Sequence, residues 1–141
     1  MCLAHSYTFA QHELLVGEIA RAVGFTHVSL SSQLTPMIKL IPRGMSAMAD
    51  AYLTPTVKRY LDSFSAGFEG SLASSSSKGS GSLRCQMMQS DGGLVDFQRF
   101  SGLRAILSGP AGGVVGYART SFDSMENIAL IGIDMGGTST E

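Results

Sequence analysis

Apolar residues recur at helical spacing in the first part of the chain. Between positions 11 and 23 they are Leu14, Leu15, Ile19, Ala20 and Val23. This spacing predicts an amphipathic helix, and Gly24 is the residue type that commonly ends one. The apolar opening at 1–7 and the alternation at 28–32 predict flanking strands. Strand, helix and strand in this order predict a βαβ unit and an α/β fold class.

A second helical pattern covers residues 44–68 and is interrupted at Thr54 and Pro55. Thr54 can cap a helix and Pro55 can occupy its first position, so we expect a kink or a restart there. An apolar stripe on this stretch predicts a face turned towards the core. It consists of Leu53, Val57, Tyr60, Leu61, Phe64 and Phe68.

A serine- and glycine-rich run at residues 73–82 divides the chain. The run has no apolar residue after its first alanine, which is typical of a flexible surface insertion. We therefore expect an α/β segment at 1–72, this insertion at 73–82 and a glycine-rich segment at 83–141. Within the last segment, apolar runs on both sides of residues 90–93 predict a hairpin, although Asp91 could instead face phosphates or a second substrate.

The final residues have the pattern of a buried strand that enters an acidic, glycine-rich turn. Asp134 is at the strand tip, where a carboxylate can hold Mg²⁺ or its water against phosphate oxygens. The glycines that follow let backbone N–H groups approach an anion, and the hydroxyls add donors. These residues are Gly136, Gly137, Thr138, Ser139 and Thr140. The pattern indicates a nucleotide-related site.

An earlier glycine-rich segment precedes this turn by about twenty residues and is placed where a helix should begin. Its glycines are Gly109, Gly112, Gly113 and Gly116. Because a helix N-terminus carries about half a unit of positive charge, two such turns favour a ligand site. Two alternatives stay open, namely an ordinary hairpin connection for the later turn and close helix packing for the earlier one. Neither segment is a P-loop, since no Gly-Lys-Ser/Thr is present.

Composition narrows the range of partners. The chain has 141 residues, of which 44% are hydrophobic and 15% charged, and this suits one ordinary core. A net charge of -1 with dispersed Lys and Arg predicts neither nucleic acid nor an anionic membrane as a partner. Cys2 and Cys85 lack metal-binding spacing, which favours free thiols. With no leader and no apolar run of about 20 residues, the expected location is the cytosol.

The remaining polar residues give weaker indications. Four of them match no metal-binding spacing and are better explained by caps and ordinary polar contacts, namely His5, His12, Glu13 and His27. Asp50, Arg43 and Arg59 could face a substrate, but we expect them to be solvated charges on a helix. No serine is in a GxSxG elbow, so a serine hydrolase has no support.

Several segments in order resemble the hydantoinase A/5-oxoprolinase family, and most closely its eukaryotic ATP-dependent branch. They are residues 5–9, 12–13, 24–32, 42–44, 49–55, 90–94, 107–117 and 132–140. The resemblance implies an actin, sugar-kinase and heat-shock-70-like (ribonuclease H-like) ATPase lobe, of which this chain would be an incomplete interior part. It implies ATP and Mg²⁺ as cofactors. The implied reaction is hydrolysis of 5-oxo-L-proline to L-glutamate in glutathione turnover.

The same resemblance assigns residues 134–140 to the family's second phosphate loop and residues 109–116 to its nucleotide cleft. It implies a small-molecule substrate, 5-oxo-L-proline or a related cyclic amide, and a homo-oligomeric parent enzyme. We expect the chain to be inactive alone, because the family's first phosphate loop would precede Met1. Three alternatives stay open: a hydantoinase-type cyclic amide hydrolase, a sugar-kinase-like phosphotransferase and a non-catalytic truncated product.

Overall fold

The computed structural model describes residues 1–68, 72–73, 83–123, 125, 128–137 and 140. Its elements are α1 (Gln11–Val23), α2 (Ser31–Leu34), α3 (Leu40–Ala66), β1 (Leu72–Ala73), β2 (Leu83–Arg84), β3 (Gln86–Met88), β4 (Leu94–Asp96), a 3-10 helix (Phe97–Arg99), α4 (Gly102–Ala105) and α5 (Ser108–Thr120). The fold is therefore a mixture of helices and small sheets. It has two compact units, and the first unit comprises Met1–Ala66 and Ser101–Leu103. The second unit comprises Gly67–Phe100 and Arg104–Glu141.

Helix α1 confirms the helix predicted over these residues, but of the apolar residues that predicted it Leu15, Ile19 and Val23 are exposed. Gly17 is on its buried face and must stay small, because a Cβ there would come within 3.0 Å of Leu30 Cδ2. Gly24 follows the last helical residue with a φ of 114°, and its N–H group donates to carbonyls of the last turn. This left-handed conformation favours glycine and ends the helix.

The structure has no strand element at either position predicted beside α1. Residues 4–8 form turns, and residues 27–30 form no ladder before α2 begins at Ser31. Strand backbone groups need partners, and here a side chain supplies them. The N–H groups of Leu3 and Ser32 both donate to the carboxylate of Glu13. Met1 nevertheless pairs with the second predicted strand in the parallel pattern, because its nitrogen donates to the carbonyl oxygen of Ser29 at 2.7 Å and its carbonyl oxygen accepts from the N–H group of Ser31 at 3.1 Å. Among the described residues of the first unit the predicted βαβ unit is reduced to this one pairing.

Helix α3 continues through Pro55, so the predicted restart at this position is wrong. Proline removes one backbone donor from a helix. The hydroxyl of Thr54, instead of capping a new helix, donates to Asp50 Oδ1 at 2.9 Å. The same hydroxyl accepts from the N–H group of Gly102 at 2.8 Å. These bonds tie the turn before Pro55 to its own helix and to the start of α4.

The polarity of α3 is the reverse of an ordinary amphipathic helix. Its buried face consists of Arg43, Ala47, Asp50, Thr54 and Leu61. The opposite face exposes between 60% and 82% of four apolar side chains, Ile41, Met45, Met48 and Tyr52. Of the predicted core stripe Leu61 is buried, whereas Tyr60, Phe64 and Phe68 are exposed. The prediction of a core-facing stripe is therefore wrong for all three of its aromatic members. No helix in the described part of the chain is long and apolar enough to cross a membrane.

The second unit contains the predicted hairpin. Strand β3 pairs antiparallel with β4, and Met87 is opposite Val95. In the turn, Gly92 has a φ of 79°, and Asp91 Oδ1 accepts from the N–H group of Gly93 at 2.9 Å. This confirms the hairpin and gives Asp91 a local structural contact. Strand β1 pairs in parallel with β2. Residues 74–82 of the predicted insertion lie outside the described residues.

The two glycine-rich segments differ from their predicted forms. The earlier segment forms the first half of α5, which begins at Ser108. The later segment has no strand over its described residues, and its described pairing is an isolated antiparallel bridge between Met135 and Thr140. The predicted terminal strand is thus not formed, because a strand needs neighbours that these residues do not provide. Thr138, Ser139 and Glu141 lie outside the described residues.

Candidate functional site

Parts of both glycine-rich segments line one cavity of about 250 Å³ in the second unit. The cavity is formed by Pro110, Gly113, Val114, Tyr117, Leu130, Gly132 and Asp134. Gly113 belongs to α5, whereas Asp134 belongs to the terminal segment. The chain therefore brings together one residue from each of the two turns that the sequence pattern predicts as ligand-binding. The apolar walls with one carboxylate are typical of small-molecule sites.

Tyr117 holds the terminal segment against α5. Its hydroxyl donates to the carbonyl oxygen of Ile133 at 3.0 Å. Its ring packs on Gly132, where a Cβ would overlap the ring atoms. Gly132 is therefore required by packing. The contact fixes the backbone one residue before Asp134 and so keeps this carboxylate at the cavity.

Packing does not explain the other glycines of the site. Among the described residues, a Cβ built at Gly109, Gly116 or Gly137 meets no heavy atom within 4 Å. At Gly112 and Gly113 a Cβ would make only ordinary contacts at 3.9 Å. Glycine inside a helix lowers stability by about 0.5–1 kcal/mol relative to alanine. Glycines without a packing role in α5 therefore require another explanation. The close-packing alternative is weakened, and an outside contact for this backbone is favoured.

The acidic end of the site is open. Asp134, Gly136, Gly137 and Thr140 are exposed. In the described part of the chain, no three His, Cys, Asp or Glu residues are placed to hold a metal ion.

A second polar cluster, which the sequence pattern did not predict, is buried in the first unit. Glu13 is fully buried, and its carboxylate accepts from the N–H group of Leu3 at 2.8 Å. It also accepts from the N–H group of Ser32 at 2.9 Å and from the hydroxyl of Ser31 at 3.0 Å. Burial raises the pKa of Glu13, but these bonds and one from Ser6 outweigh burial and lower the pKa to about 2. The ionised carboxylate joins three segments.

Asp50 is the other buried carboxylate of the cluster. Its Oδ2 accepts from the hydroxyl of Ser29 at 2.6 Å, and its Oδ1 accepts from the N–H group of Leu103 at 3.2 Å. Burial raises the pKa of Asp50, but the bonds from Ser29, Leu103 and Thr54 lower it below its ordinary range. His27 Nε2 is 2.9 Å from Ser29 Oγ and 3.8 Å from Asp50 Oδ2.

Arg43 completes the cluster. Its side chain is fully buried, and its Nη2 donates to the carbonyl oxygens of Leu3 at 2.5 Å and Ala4 at 3.0 Å. Its guanidinium carbon is 5.5 Å from the centre of the Tyr7 ring, which is a cation–π distance. The carbonyls and the ring fix the orientation of the guanidinium.

The expectation that Asp50 and Arg43 are solvated is wrong, whereas Arg59 is exposed as predicted. The sequence does contain a pattern that could have indicated this burial. The spacings of seven and four between Arg43, Asp50 and Thr54 place the three residues on one face of a helix. Charge alone favoured the solvent-facing interpretation.

Comparison with known proteins gives the family. The hydantoinase/oxoprolinase family matches residues 43–141, which is more than half of the chain. The chain belongs to the hydantoinase/oxoprolinase family. The cavity of the second unit is formed entirely by residues within the matched range. No solved structure shows a significant match to the chain.

Its relatives in the hydantoinase/oxoprolinase family are much longer proteins. A 5-oxoprolinase from Saccharomyces cerevisiae is 58% identical, and 97% of this chain and 10% of the relative are covered. The 5-oxoprolinase 1 of Arabidopsis thaliana is 52% identical, with 99% of this chain and 10% of the relative covered. An uncharacterized protein of Schizosaccharomyces pombe is 62% identical over 100% of this chain and 11% of its own length. The chain spans about a tenth of the length of these relatives.

Proposed function

We propose that this chain forms one side of the Mg-ATP site of an ATP-dependent 5-oxoprolinase. The observation that carries the proposal is the cavity shared by Gly113 of α5 and Asp134 of the terminal segment. Relatives named 5-oxoprolinase support the reaction class. The reaction would open the lactam of 5-oxo-L-proline to L-glutamate. The nucleotide would supply a phosphoryl group that activates the unreactive amide.

The chain's own residues suit an anion and its cation. Helix α5 has no side-chain cap at its N-terminus, so its first N–H groups are available to phosphate oxygens. The bare backbone at Gly109 lets an anion come close. Asp134 would hold Mg²⁺ through its carboxylate or through water. The exposed Gly136, Gly137 and Thr140 would add donors beside it. Thr138 and Ser139 belong to this prediction but lie outside the described residues.

The actin-like lobe, the cytosolic location and a homo-oligomeric enzyme are parts of the same proposal. A hydantoinase-type hydrolase is the second candidate, because the matched family is described by both activities. The two candidates are distinguished by measuring, in a full-length enzyme, the rates at which 5-oxo-L-proline and hydantoin are hydrolysed. The other two alternatives, a sugar-kinase-like phosphotransferase and a non-catalytic product, have no separate observation in their favour.

Asp134→Asn should weaken Mg-ATP binding by about tenfold or more, because the amide has lost the charge that attracts the cation. The measurement is a titration of the chain with a fluorescent ATP analogue, with and without Mg²⁺. Asp123→Asn is the matched control, since Asp123 is exposed and its carboxylate accepts from the N–H group of Met125, as an Asn oxygen also can. Equal binding by both variants would remove Asp134 from the site, and no binding by the unchanged chain would remove the proposal for this chain.

Gly109→Ala should separate folding from binding. No heavy atom is within 4 Å of the added methyl group, so the variant should be more stable by about 0.5–1 kcal/mol. The same methyl group would stand between the backbone and a phosphate, and we expect weaker binding of the ATP analogue. Thermal unfolding and the titration are measured on one preparation. Higher stability with undiminished binding would contradict an anion at this position.

A further inference from the structure

The guanidinium of Arg43 is buried but incompletely bonded. Its Nε and Nη1 atoms have no hydrogen-bond partner among the described residues. The hydroxyls of Ser32 and Thr35 are also buried without a partner, and α2, which contains Ser32, packs against α3. Folded proteins rarely leave such N–H groups unpaired, and each case needs an explanation. Two donor positions of Arg43, Nε and Nη1, therefore lack an acceptor in the part of the chain that the structure describes.

The charge of Arg43 has no direct counter-ion either. No carboxylate of the described residues is within 4 Å of its nitrogens. Glu13 is linked to Arg43 through Leu3, which donates its N–H group to Glu13 and accepts from Arg43 with its carbonyl oxygen. The oxygens of Glu13 and Asp50 already accept several donors each. A buried charge without a partner is costly, and an anion would relieve it better than a water molecule.

We propose that Arg43 anchors an oxyanion-binding site in the first unit. Arginine binds carboxylates and phosphates with its planar set of donors, and two carbonyls with the Tyr7 ring already hold this guanidinium in place. The carboxylate of 5-oxo-L-proline is the favoured source, and this choice rests on the proposed function. A free inorganic oxyanion has the same chemistry. Because Arg43 is closed to solvent, uptake requires the residues that cover Nε and Nη1 to move aside while the bonds from Nη2 to Leu3 and Ala4 are kept.

The test is thermal unfolding of the 141-residue chain with added ligands at constant ionic strength. The probes are 5-oxo-L-proline, 2-pyrrolidinone, which is the same ring without a carboxylate, inorganic phosphate, and sodium chloride as the reference. A ligand that binds only the folded chain raises its melting temperature. We expect a rise with 5-oxo-L-proline and none with 2-pyrrolidinone. A rise with phosphate alone that is lost in Arg43→Gln would retain the site and assign it to a free oxyanion.

Two variants locate the effect. Arg43→Gln should weaken the ligand response by about tenfold or more, because it removes a charged hydrogen-bond donor. Arg59→Gln makes the same change at an exposed position of the same helix and should leave the response unchanged. If Arg43→Gln does not fold, the Nε–H resonance of Arg43 in the unchanged chain replaces it. That resonance should shift on addition of 5-oxo-L-proline or phosphate.

No rise in melting temperature with either oxyanion, or an equal rise in both arginine variants, would overturn the site. An Arg43 Nε–H resonance that is unmoved at saturating ligand would do the same. The outcome is separable from that for the nucleotide site, because no ATP is present and Asp134→Asn should respond to oxyanions like the unchanged chain. If the chain did not bind ATP, the melting-temperature test with inorganic phosphate would still decide the Arg43 site.

Discussion

Glu13→Gln is expected to destabilise the first unit by about 3 kcal/mol, among the largest effects of a single substitution in this chain. Both carboxylate oxygens of Glu13 accept from backbone N–H groups, those of Leu3 and Ser32. A glutamine side chain has one oxygen and one NH₂ group, so it must direct donors at one of these N–H groups. The site is fully buried, and water cannot replace the lost acceptor.

Chemical denaturation followed by circular dichroism measures this change in the free energy of unfolding. Glu18→Gln is the matched control, because Glu18 is exposed on the same helix. We expect the control to stay within about 0.5 kcal/mol of the unchanged chain. Similar losses in both variants would show that helix α1 responds to charge in general and that the buried bonds of Glu13 contribute little.

The same carboxylate predicts how stability depends on pH. The pKa of Glu13 is lowered from 4.5 to about 2 in the folded chain, so folding favours the ionised form. Its contribution is therefore complete above about pH 4.5 and is lost as the pH falls towards 2. The loss amounts to about 3 kcal/mol, since one pKa unit corresponds to about 1.4 kcal/mol. Asp50, whose pKa is also lowered, acts in the same direction. In Glu13→Gln the decline between pH 5 and pH 2 should be smaller.

Gly102→Ala is expected to cost about 2–4 kcal/mol through overpacking. A Cβ at this position would come within 2.6 Å of the backbone nitrogen of Thr54 and would overlap Leu53. Backbone atoms of a helix cannot move aside as a flexible side chain can. The shift would also stretch the bond from the N–H group of Gly102 to the Thr54 hydroxyl.

Gly44→Ala is the control for this overpacking. Gly44 is inside α3 of the same unit, and a Cβ there would meet only Cys2 atoms at 3.9 Å, which is ordinary contact. Alanine favours the helix, so a gain of about 0.5–1 kcal/mol is expected. Thermal unfolding of the two variants should move in opposite directions. A Gly102→Ala variant as stable as the unchanged chain would show that the contact with Thr54 opens without cost.

The parts of the fold that local sequence rules determine were predicted well. Helix α1 and its terminal Gly24 follow from spacing and from a backbone conformation that favours glycine. The hairpin follows from Asp91 and Gly92 in a tight turn. The predicted strands failed because a strand depends on distant partners. At Leu3 and Ser32 the Glu13 carboxylate takes the N–H groups that a strand ladder would have used.

In the candidate sites, too, local sequence patterns were predicted better than features that depend on distant contacts. Glycine patterns can be recognised in a sequence. Gly113 and Asp134, one from each glycine-rich segment, do line the same cavity. The nucleotide itself stays a prediction. The buried cluster of Glu13, Asp50 and Arg43 was not foreseen, because charged residues are seldom fully buried. Its burial depends on hydrogen bonds between segments up to 53 residues apart, as from Leu103 to Asp50.

The reversed polarity of α3 also affects the heat capacity of unfolding. Newly hydrated apolar surface raises the heat capacity, whereas newly hydrated polar surface lowers it. Helix α3 exposes Ile41, Met45, Met48 and Tyr52 in the folded chain and buries Arg43, Asp50 and Thr54. Unfolding the first unit therefore adds little apolar surface and much polar surface to water. Its heat-capacity increment should fall below the usual value of about 12–15 cal/mol/K per residue, and its stability should vary only weakly with temperature.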